Sequence, residues 1–260
     1  MDHLLRATAL AEQRHFWFRG FRFFVTPLLA RAVAGRSGLR LLDCGCGTGN
    51  NLDMLGRYGQ AYGFDLTASG LAFGRDAGRT RLARASIGAI PFPSASFDIV
   101  TSFDVLYSLP DAIEQTAIRE MYRVARPGAW LLINVAAMEM LRGDHSVLSH
   151  EVRRYSRAGL ARLVWDAGFV IDRITYTNAL LFPPMALARA LQRARGLSTE
   201  QHADQEIRVP AAPVNLALTA ALKLESLWLR AVDNPFGSSL LCLARKPDVT
   251  TPDLPSTLPA

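Results

Sequence analysis

Leu41-Leu42-Asp43-Cys44-Gly45-Cys46-Gly47-Thr48-Gly49-Asn50-Asn51-Leu52 is the stretch that decides the fold of this 260-residue chain. A short apolar run, of the kind that is buried as a strand, leads into three alternating glycines and then into a segment suited to a helix. Glycine lets the backbone turn sharply and lets a ligand approach the main chain closely. The helix N-terminus that follows favours polar or anionic groups. The glycines are spaced G-x-G-x-G after Asp43, whereas a dinucleotide-binding loop uses G-x-G-x-x-G, so the spacing disfavours a nicotinamide dehydrogenase. Asp65 then ends the next apolar run about twenty residues on, the place from which a carboxylate accepts hydrogen bonds from ribose hydroxyls.

Outward from this loop, short apolar runs alternate with amphipathic stretches, which predicts an α/β sheet covered by helices. Strands are expected at 40–44, 61–65, 81–87, 98–103, 129–136 and 169–177, with a last one at 239–245. Helices are expected at 50–57, 68–78, 112–124 and 157–167. Arg126-Pro127-Gly128 is read as the stop that ends the third helix before the next strand begins. The chain divides into an N-terminal helical lid segment (1–38), a core (39–178), a helical insert (179–237), the last core strand (238–246) and a tail (247–260). The tail is rich in Pro, Thr and Ser and reads as disordered.

The composition is half hydrophobic, enough for a sizeable core. The net charge of +6 favours anionic partners without choosing among nucleic acid, acidic lipid and phosphorylated acceptors. Three cysteines, Cys44, Cys46 and Cys242, at no disulfide-like spacing indicate a reducing compartment. Cys44-x-Cys46 lacks a second ligand pair, so no metal site is expected. The N-terminus does not have the form of a signal peptide. The longest charge-free run, 209–222, is about 14 residues, short of the roughly 18–20 that span a bilayer. These features read as a cytoplasmic protein, with peripheral membrane association left open.

Further motifs follow the loop in order. They are Ala85-Ser86-Ile87-Gly88-Ala89-Ile90-Pro91-Phe92-Pro93, Phe97-Asp98-Ile99-Val100, Phe103-Asp104-Val105-Leu106-Tyr107-Ser108-Leu109-Pro110 and Glu120-Met121-Tyr122-Arg123-Val124-Ala125-Arg126-Pro127-Gly128-Ala129. Together with the loop and Asp65, they resemble the class I S-adenosylmethionine (SAM)-dependent methyltransferases of type 11, over roughly 39–178 and 235–246. The resemblance implies a seven-stranded, mostly parallel Rossmann-like sheet with helices on both faces. It implies SAM as cofactor and S-adenosylhomocysteine (SAH) as product. The cofactor contacts it implies are Asp43, Gly45, Cys46, Gly47, Gly49, Asn50, Asp65, Leu66, Ser86, Ile87, Phe103 and Asp104. Ser86 stands where the family usually carries an aspartate for the adenine amino group, and Ser108 where a histidine is frequent.

The acceptor side rests on less. Asp144-His145 and Ser149-His150-Glu151-Val152-Arg153-Arg154-Tyr155-Ser156 follow the fifth strand, at the carboxyl edge where open α/β sheets bind ligands. His150 or Asp144 is the candidate base, Arg153 or Arg154 the candidate anion binder, and Tyr155 and Tyr107 candidate substrate contacts. Arg153, Arg154 and Tyr155 can equally anchor the loop. Phe16-Trp17-Phe18, with His15 and Arg22, reads as a lid whose Trp17 faces the sulfonium, or as a helix packed on the core. The insert, with Arg189, Arg193 and Arg195, reads as a pocket cap, an oligomer contact or a membrane-surface helix. The function expected is methyl transfer from SAM to a small-molecule or lipid-linked acceptor, oxygen favoured. The alternatives are an inactive SAM-binding scaffold and, with little sequence support, a nucleic-acid methyltransferase.

Overall fold

The computed structural model describes residues 11–143, 146–147, 150–195 and 209–248. Seven strands form one sheet: β1 (Leu39–Cys44), β2 (Gly59–Asp65), β3 (Leu82–Arg84), β4 (Phe97–Phe103), β5 (Ala125–Ala136), β6 (Val170–Thr177) and β7 (Ser239–Arg245). Their order is β3-β2-β1-β4-β5-β7-β6. All pairs are parallel except the two that β7 makes, so the mostly parallel, Rossmann-like sheet is present as expected. The described helices are α1 (Phe16–Val33), α2 (Asn50–Leu55), α3 (Ala68–Asp76), α4 (Asp111–Val124), α5 (Arg157–Asp166), α6 (Phe182–Arg195) and α7 (Ala212–Trp228).

Alternation along the strands builds a core on each face. Leu42, Val100, Leu131 and Ile133 point to the side covered by α4 and α5, where Ile118, Met121, Leu160 and Val164 meet them. Their chain neighbours Leu41, Ile99 and Leu132 point the other way, to Val25, Leu28 and Leu29 of α1, Leu55 of α2 and Leu222 of α7. Period-two side-chain placement in strands buried on both faces is the reason these runs read as continuously apolar.

Two boundaries differ from the sequence expectation. Strand β5 starts at Ala125, not at 129, so Arg126-Pro127-Gly128 lies within the strand. The Arg126 guanidinium grips both oxygens of Asp98 at 2.8 and 2.9 Å, and the register with β4 shifts between Phe97 and Ile99 to take up the extra residues. Strand β3 ends at Arg84 instead of continuing to 87. After Ala85 donates to the Asp65 carbonyl, the chain leaves the sheet, and Gly88 N–H turns back onto Ser86 Oγ. Those lost strand residues are thereby freed to line the site described below.

The turn between β1 and α2 is held from two directions. Gly45 and Cys46 N–H both donate to the Phe64 carbonyl at 2.9 Å. From the side, α3 approaches so closely that a Cβ on Gly74 would lie 2.5 Å from the Thr48 carbonyl oxygen and 2.7 Å from Leu82 Cδ1. Gly74→Ala is therefore expected to destabilise the protein by about 1–3 kcal/mol through overpacking, read as a lower urea midpoint at unchanged slope. An unchanged midpoint would show that α3 can move away from the loop without cost.

Candidate functional site

A cavity of about 600 Å³ opens at the carboxyl ends of β1, β2 and β4. Its floor is the glycine loop. Gly45, Gly47 and Gly49 have φ of +77°, +56° and +75°, a region that only glycine occupies without strain. At Gly45 the lack of a side chain also matters for space, because a Cβ there would sit 2.5 Å from Val105 Cγ2. Gly47 N–H donates to Asp65 Oδ2 and Thr67 N–H to Asp65 Oδ1, both at 2.8 Å, so the carboxylate at the end of β2 ties the loop to the start of α3.

The sequence-derived cofactor candidates separate into two groups. Gly45, Cys46, Gly47, Asn50, Asp65, Leu66, Ser86, Ile87, Phe103, Asp104 and Trp17 all line the cavity. Asp43 and Gly49 do not. Asp43 is buried behind the loop and accepts a 2.7 Å hydrogen bond from the Thr101 hydroxyl, while Gly49 caps α2. The opposite wall comes from α1, whose Trp17, Phe18, Phe21 and Arg22 recur at helical spacing on one face. Phe21 meets Phe103 edge-to-face at 5.0 Å across the cavity. His15 caps this helix, its Nδ1 accepting from Trp17 N–H at 3.1 Å.

Among the acceptor-side candidates, Tyr107 and His150 line the cavity. Asp144 lies outside the described residues. Arg153 faces away from the lining: it donates to the Leu106 carbonyl and Glu114 at 3.2 Å and to Asp111 at 2.5 Å. The Tyr155 hydroxyl donates to Glu114. Val152 and Arg153 N–H both donate to the Tyr107 carbonyl, so this segment braces the turn that carries Tyr107 into the cavity. Arg154 is nearly buried, its Nε 3.6 Å from a Glu151 carboxylate that is itself sealed from solvent.

Three carboxyls around the cavity are held toward the neutral form. Burial pushes Asp43 up to about 7, with Asp65 adding to the rise and Thr101 and nearby Asn51 opposing it. Crowding by protein atoms pushes Asp104 up to about 7 as well, although its accessible surface opens on the cavity; Glu151 adds, while the Asn134 amide and Arg154 oppose. Glu12 is the third, pushed up to about 7 by burial against the pull of the Thr48 hydroxyl, Arg79 and Arg22. It takes the Thr48 hydroxyl at 3.3 Å on each oxygen. Glu12 was not legible in the sequence, because an isolated acid ahead of the aromatic stretch gains meaning only when α1 docks over the loop. Asp104 and His150 also have positive φ, +59° and +51°, an uncommon backbone for residues with a Cβ.

These residues fit SAM. Asp43 Oδ2 is buried without a hydrogen-bond partner among the described residues, beneath a loop with glycine-only backbone. Asp65 keeps lone pairs free toward the cavity, where they can accept hydrogen bonds from hydroxyls, and aromatic faces from α1 suit a cation. No group of His, Cys, Asp or Glu among the described residues is placed to hold a metal, and Cys44, Cys46 and Cys242 are buried free thiols.

Comparison with known proteins agrees with this geometry. Residues 42–133 match the family described as a methyltransferase domain. The chain is 33% identical over 188 residues to a demethylmenaquinone methyltransferase of Roseiflexus sp., covering 69% of this chain and 75% of that protein. It is 31% identical over 149 residues to the ubiquinone/menaquinone biosynthesis C-methyltransferase UbiE of Pseudoalteromonas translucida, covering 52% of this chain. It spans only 57% of that relative's length. Among solved structures, a SAM-dependent methyltransferase from Methanosarcina mazei superposes with a TM-score of 0.55 at 17% identity, covering 85% of this chain and 98% of that one. The cyclase SpnF superposes with a TM-score of 0.57 at 22% identity, covering 86% and 80%. At such identities the two structures speak for the fold alone.

The buried acid Asp43 supplies a test by pH. Its folded pKa is raised, so the folded state binds the proton more tightly than the unfolded chain does. The stabilising contribution is then complete below the ordinary carboxylate range near 4 and is lost as pH rises through about 7. Relative to Asp43→Asn, the wild type is expected to lose on the order of 2–4 kcal/mol of unfolding free energy between about pH 4 and pH 8, measured by urea titration. A wild-type-minus-variant difference independent of pH would mean that Asp43 is not held protonated.

Proposed function

The chain belongs to the class I SAM-dependent methyltransferases, and we propose that it transfers a methyl group from SAM to a small-molecule acceptor whose reacting hydroxyl is weakly acidic. The observation that carries this reading is the joining of two things in one cavity. These are the positive-φ glycine loop tied to Asp65, and the Asp104, Tyr107 and His150 side chains at its acceptor end.

When bound, SAM supplies a methyl group on a sulfonium, an electrophile already activated for in-line displacement. The chain's own task is alignment, exclusion of water and proton handling. Gly47 and Thr67 N–H hold the Asp65 carboxylate in a fixed orientation, which sets it to accept hydrogen bonds from a sugar. Trp17, Phe18 and Phe21 close the cavity from the α1 side and keep water from the reacting carbon. Tyr107 is positioned by the two amides of Val152 and Arg153 and presents its side chain to the acceptor region. His150 is the group assigned to remove the acceptor proton, and Asp104 stands in the same wall with its carboxyl pushed above the ordinary carboxylate range.

Loss of a hydroxyl proton raises the nucleophilicity of the oxygen and, in an aromatic or enolic acceptor, of the carbon conjugated to it. The preference for oxygen expected from sequence gains no support from the relatives, one of which is named a C-methyltransferase. The acceptor class is therefore placed at the acidic hydroxyl compound itself, with oxygen or its conjugated carbon as the methylated atom.

Calorimetry with SAH is expected to show binding to the wild type and, undiminished, to His150→Ala. With a panel of phenolic and enolic acceptors, SAH release by His150→Ala should fall about 10²–10⁴-fold. Absence of SAH binding would end the transferase reading. Full turnover by His150→Ala would remove His150 as the base while leaving the transferase reading intact.

A further inference from the structure

Helix α7 is apolar on its outer side as well as on its inner one, where Leu222 is buried and Leu218 and Ala221 pack against the core. Thr219, Leu222, Glu225 and Ser226 face the protein and are buried. The opposite stripe, Leu216, Leu224 and Leu227 at spacings of eight and three, is 64%, 63% and 47% exposed, and Trp228 beside it is 60% exposed. A surface helix of a water-facing domain keeps that outer stripe polar. The inward polar groups are in use: Glu225 accepts from Ala179 N–H, Leu180 N–H and Asn234 Nδ2 at 2.9–3.1 Å, tying the start of α6 to α7. On α6, which buries none of its residues, Leu187 and Leu191 are exposed one turn apart, 64% and 46%.

Among the described residues, the exposed charges of the two helices themselves are cationic, while the neighbouring acids Glu139 and Asp233 are paired with Arg142 and Arg173. Helix α6 contains Arg189, Arg193 and Arg195 and no acid, and the only acid of α7, Glu225, is buried. Lys223 and Arg230 are exposed on and just beyond α7. No helix among the described residues is long and apolar enough to cross a membrane. Apolar stripes flanked by cations, with a tryptophan at the border, suit a helix lying in the interface of an anionic bilayer. A second copy of this chain fits the surface less well, because a two-fold contact would set the same cations against each other.

The surface is also coupled to the site. Asn215 of α7 accepts from Phe16 N–H at the start of α1 and donates to the Arg14 carbonyl, both at 2.8 Å. The Leu222 side chain packs over Gly20 of α1. Helix α7 thus rests on the helix that supplies Trp17, Phe18 and Phe21 to the cavity wall.

We propose that the outward faces of α7 and α6 dock on an anionic lipid bilayer, bringing the cavity beside a lipid-resident acceptor. The docking stands on the surface itself, while the acceptor rests on the transferase reading above. The test is flotation of the full-length protein with vesicles of phosphatidylcholine alone and of phosphatidylcholine mixed with phosphatidylglycerol, at low and high salt, with SAH binding measured in parallel. The expected result is flotation with the mixed vesicles at low salt, reduced by salt and by Lys223→Gln/Arg230→Gln. A tenfold or greater loss is expected for Leu216→Asp/Leu224→Asp, with SAH affinity retained as proof of folding. Absence of flotation with mixed vesicles, or flotation undiminished in Leu216→Asp/Leu224→Asp, overturns the docking. So does a dimer in light scattering that these substitutions dissolve while wild type ignores vesicles. Vesicle binding without SAH binding leaves the docking standing and sinks the transferase reading instead.

Discussion

The end of strand β2 organises this molecule. Its Phe64 carbonyl takes two amides of the glycine loop, and its Asp65 carboxylate takes a third together with the first amide ahead of α3. Four main-chain donors from two different turns thus converge on two adjacent residues. Any loop meeting that demand needs left-handed backbone at several points, which explains why glycines alternate there instead of clustering. The same convergence fixes the cavity floor, brings α3 against the loop at Gly74 and leaves Asp43 sealed behind it.

Around that floor the protein places carboxyls where they cannot ionise easily. Asp43, Asp104 and Glu12 come from a strand, the turn after a strand and the segment before α1, and each is pushed up to about 7, Asp43 and Glu12 by burial and Asp104, though exposed to the cavity, by the protein atoms crowded around it. Buried groups poised between charge states lower stability at neutral pH, and their grouping at one cavity is the pattern expected of a working site. The positive φ of Asp104 and His150 is a second sign of the same kind, since backbone strain is kept only where surrounding contacts overdetermine it. For Asp104 those contacts are its N–H on the Asn134 carbonyl and its carboxylate on the Asn134 amide, both at 2.9 Å.

The outer elements show how the cavity is completed. Neither arginine of segment 150–155 lines the cavity; Arg153 instead joins Asp111 and Glu114 and holds the Tyr107 turn. Helix α1 serves two neighbours at once, with the cavity along Trp17, Phe18 and Phe21 and the core along Val25, Leu28 and Leu29. Helix α7 closes over it, burying Leu222 and Glu225 inward and leaving Leu216, Leu224 and Leu227 on the exposed side.

The sequence by itself determined the sheet, the position of the loop and many of the residues that line the cavity. Those features are local: strand period, glycine spacing and an acid at a strand end are written within a few residues of where they act. It also placed the end of α4 at Val124 and the whole of β7, although the residues read as the stop after α4 lie inside β5. Only the tertiary structure decided the rest. Strand β5 took in Arg126-Pro127-Gly128 because Asp98, on a neighbouring strand, was there to hold Arg126. Glu12 entered the cavity wall because α1 folds back over the loop, and Arg153 turned from the cavity because Glu114 and Asp111 lie beneath it. Such outcomes depend on which distant groups arrive within hydrogen-bonding reach, and a side chain's partner across some forty residues is set by packing that no local pattern encodes.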